Sequence, residues 1–280
     1  MCNTVGRVID ALTDGKPVFG VTSIDNQLYV FRDKSSQQIE VYDIDSNYCL
    51  QRCLNVPGCG AVHDIVACGH NGCIYVSDTS HIHRVRVAWA FSIRATPKWP
   101  VNENGLLSLS LTVKHNLLVT CCEVRKIKEF TTSGQLIREI VLPQDVCSPW
   151  HTVQLSSGEL IVCHGDPGDP LHRVCQIGSD GQVVKSYGGP PGSGSQQMRV
   201  PVHMAVDGND FIFVADQNNC RVFLLSPSVT YVREVVSREQ LQRLPRRLSV
   251  DVQRRRLYVA ENEYKDGKPT AGRVVVVDVY

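Results

Sequence analysis

Weakened copies of one phrase run the length of the chain. Its best form is Phe211-Ile212-Phe213-Val214-Ala215-Asp216-Gln217-Asn218-Asn219-Cys220-Arg221-Val222: an apolar strand ending in an acid, a short polar loop, and an Arg opening the next strand. Ile74-Tyr75-Val76-Ser77-Asp78 leading to Arg84-Val85-Arg86-Val87 repeats it, as does Leu257-Tyr258-Val259-Ala260-Glu261 leading to Gly272-Arg273-Val274-Val275-Val276-Val277. Looser copies are Leu28-Tyr29-Val30 with Ile39-Glu40-Val41-Tyr42, Leu117-Leu118-Val119 with Lys126-Ile127-Lys128-Glu129-Phe130, and Leu160-Ile161-Val162 with Arg173-Val174-Cys175-Gln176-Ile177. Six copies fill the 280 residues and leave no stretch for another domain.

The copies recur about every 40 residues, the spacing of propeller blades, whereas helical solenoids of similar period need long amphipathic helices that this chain lacks. Strands of about 4 to 7 residues between Gly, Asn, Asp and Pro clusters give four strands per copy. The expected fold is all-β: one six-bladed β-propeller of four-stranded antiparallel blades over residues 1–280. The last copy stops after its third strand, Arg273 to Val279. Residues 4–9, Thr4-Val5-Gly6-Arg7-Val8-Ile9, are expected to add its outer strand, which closes the ring and removes an open edge. In the second blade Trp89 to Ile93 is expected to be the outer strand.

Composition narrows the partners. The formal net charge is +1, so the chain lacks the overall basicity of a polyanion binder. No apolar run is long enough to span a membrane as a helix. Twelve cysteines sit largely at strand positions, as Cys121, Cys163 and Cys175 do, without the paired spacing of a zinc knuckle. They are read as reduced, buried thiols of a cytoplasmic protein.

The segment Pro201-Val202-His203-Met204-Ala205-Val206-Asp207 continuing to Arg221-Val222 resembles the NHL repeat. The resemblance covers the whole chain; its phrase is specific in the fifth blade, fair in the second and sixth, and faint in the first and third. Six-bladed NHL propellers form the recognition domains of TRIM-NHL-type ubiquitin ligases, where they bind RNA or protein. The fold also occurs in amidating lyases with zinc in the channel, so it implies a short set of functions rather than one.

Alignment on the phrase puts His63, His151 and His203 at equivalent rim positions of the inner strands, with Ser108, Arg247 and Gly20 or Val21 in the other blades. Three imidazoles could hold zinc with an open fourth position. Arg247 in the same ring opposes a dication and favours an anion, so the four side chains are also read as a pocket for a carboxylate or phosphate. Around the channel, on the face where the inner strands begin (the top face), Lys98 and Trp99 are expected on an entry loop. Lys126, Arg199, Arg246 and Arg247 share that face, and Trp150 is a further candidate for base stacking or for capping a blade interface. Acids share it too. Arg254, Arg255 and Arg256 fall in a hairpin of the opposite face and are read as solvated tips.

The expected function is a recognition module, not an enzyme and with no cofactor. It takes a protein or peptide, or single-stranded RNA, on the top face. The resemblance implies the substrate- or RNA-binding domain of a TRIM-NHL-like ubiquitin ligase, with ligase and oligomerising domains lying elsewhere. The alternatives are a zinc-dependent lyase or hydrolase using His63, His151 and His203, and a structural interaction scaffold.

Overall fold

A computed structural model describes residues 6–13, 15–32, 37–87 and 97–279. Its strands form six four-stranded antiparallel sheets. Blade 1 contains β2 (Val18–Ile24), β3 (Gln27–Arg32), β4 (Gln38–Asp43) and β5 (Cys49–Asn55). Blade 2 contains β6 (Asp64–Cys68), β7 (Cys73–Ser77), β8 (His81–Arg86) and β9 (Lys98–Pro100). Blades 3 and 4 follow as β10 (Leu107–Leu111) to β13 (Leu136–Val141) and β14 (Pro149–Gln154) to β17 (Val183–Gly189). Blade 5 runs from β18 (Pro201–Val206) through β19 (Ile212–Asp216) and β20 (Arg221–Leu225) to β21 (Tyr231–Val236). Blade 6 takes β22 (Leu244–Asp251), β23 (Arg256–Lys265) and β24 (Lys268–Asp278) from the end of the chain. Its outer strand, β1 (Arg7–Thr13), comes from the beginning, with Arg7 opposite Asp278 and Thr13 opposite Arg273. The closing strand thus sits slightly later than residues 4–9, of which 4 and 5 lie outside the described residues.

The second strands explain why the repeats read as unbroken apolar runs. Each lies inside a blade whose two faces pack on neighbours, so alternation of polar and apolar residues has no use there. The four short ones, β7, β11 (Leu117–Cys121), β15 (Leu160–His164) and β19, are buried throughout. Six apolar clusters result, one between each pair of successive blades; Phe213, Val222, Leu257 and Val275 meet between blades 5 and 6, and Leu28, Tyr42, Tyr258 and Val276 between blades 6 and 1. The outer strands are exposed and carry charges, such as Arg138 and Glu139 on β13, that discourage further strand pairing.

The acid of the phrase has a mechanical role. Asp216 at the end of β19 takes Arg221 Nε at 2.8 Å, and Glu261 within β23 takes Arg273 Nε at 2.5 Å, so the charge pair ties the second strand to the third. In blade 2 the pair is Asp78 with His83.

Two expectations are corrected by this architecture. The outer strand of blade 2 is Lys98–Pro100; residues 89–93 lie outside the described residues. The hairpin arginines are more than solvated tips, because Arg254 bonds Asp251 and the Asp25 carbonyl, and Arg256 bonds Tyr48, joining blade 6 to blade 1.

Removing residues 1–13 should leave the β24 edge unpaired. The expected result is a Tm lower by roughly 5 °C or more, at about 2–4 °C per kcal/mol for a chain of this size, with aggregation visible by light scattering. An unchanged Tm and a monomeric truncated chain would contradict closure by β1.

Candidate functional site

The inner strands converge on a carboxylate. In blades 4, 5 and 6 a bulge precedes the rim position, so that His151 opposes Cys163, His203 opposes Ala215 and Arg247 opposes Ala260. In blade 2 Asp64 opposes Ser77, the residue that corresponds to Ala215 and Ala260, and the His63 amide bonds the carbonyl of the same Ser77, which leaves His63 one residue short of the rim. Counting residues along the repeats therefore slips by one: Asp64, not His63, stands with His151 and His203. The signal was present as an acid inside the apolar run Val62-His63-Asp64-Ile65-Val66.

Asp64 is fully enclosed, with 1% of its surface exposed, and its oxygens are occupied. Oδ1 accepts from the Ile65 amide and from Arg247 Nε, both at 3.0 Å. Oδ2 accepts from Ser108 Oγ at 2.6 Å and the Leu109 amide at 2.9 Å. Arg247, equally buried, also donates to the His63 carbonyl at 2.5 Å and the Arg246 carbonyl at 3.1 Å. Burial alone would raise the Asp64 pKa, but Arg247, then His203 and His151, outweigh it and hold the carboxyl well below the usual range.

The histidines serve as staples between blades. His63 Nδ1 accepts the Leu107 amide, His151 Nδ1 the Met204 amide and His203 Nδ1 the Leu248 amide, at 3.3, 3.3 and 3.2 Å. Each bond runs from one inner strand to the next blade. Thr22 accepts the Ala67 amide, Ser110 donates to the Thr152 carbonyl, and Asn262 holds both backbone groups of Val18. All six blade junctions are stitched in this way.

His151 Nε2 donates to the Leu109 carbonyl at 3.0 Å, which fixes the neutral tautomer and uses both ring nitrogens. Its ring stacks on His203 at 3.8 Å between centroids. His203 Nε2 faces Asp64 Oδ2 at 3.5 Å, an electrostatic contact longer than a good hydrogen bond. Burial lowers both pKa values, that of His151 well below the ordinary one, with His203 adding to the drop at His151.

Asp64, His151 and His203 are close enough for a metal, and His63 is outside the group. The donor set does not fit one. His151 has no free nitrogen, and a dication beside Asp64 would leave the Arg247 charge uncompensated in a dry interior. The anion pocket is corrected as well: the anion that Arg247 meets is the chain's own Asp64. Below this lock, a channel of about 450 Å³ runs toward the hairpin face, where Ser156, Asp207 and Asp210 line it.

The remaining sequence candidates do not gather. Trp99 is 9% exposed within β9, edge-on to Tyr75 at 6.2 Å. Gly134, at φ +95°, passes beneath its ring, where a Cβ would lie 2.6 Å from it. Its indole therefore presents no stacking face. Lys98 lies on the same strand, 3.5 Å from the Gly58 carbonyl. Lys126 is held between Glu103 and Glu139, with Lys128 in the same network. Arg199 is exposed on the loop entering blade 5. Arg246 alone joins a surface site, its guanidinium 4.9 Å above the ring of half-buried Trp150.

That ring borders a second cavity of about 450 Å³ on the top face between blades 3 and 4, lined by Leu106, Glu123, Val124, Arg125, Cys147 and Asp166 among others. The loop from Cys163 to His172 forms one wall. Its histidines are structural: His164 bonds the Cys147 carbonyl and accepts from Arg173, and His172 accepts the Val200 amide. Burial, then Arg173, pulls His164 down to about 4.

The fold and this central lock define a six-bladed β-propeller. Among solved structures, the chain is similar to selenomethionine-substituted virginiamycin B lyase from Staphylococcus aureus, at 13% identity over 89% of this chain and 80% of that one, TM-score 0.62. It is also similar to a streptogramin B lyase, at 12% identity over 96% and 97%, TM-score 0.65. A third is the Myceliophteria thermophila Cps50 (Swd1) β-propeller domain, at 11% identity over 94% and 84%, TM-score 0.56. Such identities establish the fold alone. No family model matches the chain, nor does any curated protein.

Asp64→Asn should cost about 3–5 kcal/mol by leaving a buried guanidinium unpaired, and Asp64→Asn with Arg247→Met should cost less than the two changes summed. The histidines add a pH dependence. Both lie below 6.5 in the fold, so their contribution is complete above that value and is lost as pH falls beneath it; Asp64, held below 3.8, adds a further loss under that pH. Urea midpoints should decline from neutral pH into acid, with a shallower decline in His151→Gln. A flat profile would contradict the buried neutral pair.

Proposed function

We propose that this chain is a recognition module that binds a peptide or protein segment on its top face, in the cavity beside Trp150 and Arg246. The observation that carries the reading is the chemistry of that cavity. It sets an aromatic ring under a guanidinium next to Glu123, Arg125 and Asp166, with apolar Leu106 and Val124 between. Aromatic and Arg anchors surrounded by mixed charge suit a polypeptide, whose side chains and backbone supply both signs.

A single-stranded RNA partner is less well supported. It calls for a continuous basic track with open aromatic faces. Lys126 is neutralised by acids, Arg247 is buried on Asp64, and Trp99 is packed in a blade. The finer form of the reading, the substrate-binding propeller of a TRIM-NHL-like ubiquitin ligase in the cytoplasm, rests on the phrase Pro201 to Val222 and is proposed on that basis.

Selection from a randomised peptide library should enrich peptides that bind the wild-type chain. Trp150→Leu or Arg125→Glu should weaken that binding by roughly tenfold or more, about 1.4 kcal/mol, while Lys185→Ala on an outer strand leaves it unchanged. Failure to enrich any peptide, together with salt-sensitive binding of single-stranded RNA, would replace this reading with the nucleic-acid one.

A further inference from the structure

Blade 2 departs from the repeat at the loop between its second and third strands. In blades 5 and 6 the corresponding acid is met by an arginine, Asp216 by Arg221 and Glu261 by Arg273. In blade 2 the base is His83, with Nε2 2.8 Å from Asp78 Oδ2. A guanidinium has no lone pair to donate, whereas an imidazole has one. His83 is fully buried, and its Nδ1 lacks a hydrogen-bond partner among the described residues.

A thiol completes the group. Cys59, in the loop that enters blade 2, is buried beside the pair. Its Sγ, a carboxylate oxygen of Asp78 and a ring nitrogen of His83 lie within 4.8 Å of one another. Tetrahedral zinc at its usual bond lengths separates such donors by roughly 3.3–3.6 Å, inside the span between the 2.8 Å contact and that limit.

We propose that Cys59, Asp78 and His83 form a zinc site that ties the entry loop of blade 2 to the loop between its second and third strands. Thiolate and imidazole donors select a borderline ion such as Zn²⁺ over Mg²⁺ or Ca²⁺. The charge arithmetic favours burial: a dication with one thiolate and one carboxylate sums to zero, unlike the axial cluster with its added Arg247. As the sulfur–metal bond forms, the thiol proton leaves to solvent, and the imidazole binds as the neutral base. Asp78 is already oriented by amides of Gly60, Ser80 and His81, the supporting shell that positions a metal ligand. Three protein ligands leave the fourth position to water.

Cobalt titration tests this in a chain with Cys2, Cys49 and Cys53 changed to Ser, the last two being exposed thiols. One Co²⁺ per chain should bind with thiolate-to-metal charge-transfer absorption and be displaced by equimolar Zn²⁺. Cys59→Ser should lose the absorption, and His83→Gln should weaken binding by roughly tenfold or more. His83→Arg keeps a base able to pair with Asp78 but removes the ring nitrogen, so it should remain folded by circular dichroism and bind no metal. No cobalt bound at stoichiometric concentration, or a spectrum unaltered in Cys59→Ser or His83→Arg, would overturn the site.

Discussion

The bond between Asp64 and Arg247 crosses the centre of the ring, from blade 2 to blade 6, and the other axial contacts are arranged around it. A carboxylate this deep carries a large desolvation cost, offset only because Arg247, Ser108 and two backbone amides occupy its oxygens. Well-packed apolar residues could stabilise the axis as well as an ion pair does. The pair adds directionality: Asp64 reaches the inner strand of blade 3 and Arg247 the His63 carbonyl, so the inner strands of three blades are fixed by one pair of charges.

This arrangement accounts for the histidines without invoking chemistry at the axis. A rim imidazole can accept an amide from the next blade through Nδ1, and burial keeps it neutral. His63, His151 and His203 do this at three of the six junctions, and Thr22, Ser110 and Asn262 satisfy the others. Variation in residue type around the rim thus reflects different solutions to one backbone problem. Polar groups on the loops of the top face are left to face solvent, and there the cavity beside Trp150 and Arg246 opens.

Much of the architecture was legible because each blade buries a similar strand at a similar interval, so Ile74-Tyr75-Val76 and Phe213-Val214-Ala215 announce themselves as equivalents. Closure by an N-terminal strand followed from the missing partner of the last strand. The outer strand of blade 2 was not legible: Lys98–Pro100 is three residues long, and Pro97 and Pro100 bracket Lys98-Trp99 so that the stretch reads as a loop. The rim failed by one residue because strand register, not residue type, sets it: Asp64 opposes Ser77 as His203 opposes Ala215, and His63 precedes that pair. Ion pairing was the least legible feature. Lys126 and Arg247 read as free cations because their partners, Glu103 and Asp64, are distant in sequence or hidden inside an apolar run.

The central claim, that the axis is a satisfied structural lock, is tested most directly by nitrogen NMR of the imidazole rings with and without zinc. His151 and His203 should each appear as neutral rings protonated at Nε2 at neutral pH, with resonances that added Zn²⁺ leaves in place. Zinc-induced shifts at both rings, or protonated imidazolium signals at neutral pH, would contradict the lock and reopen the axis as a metal or anion site.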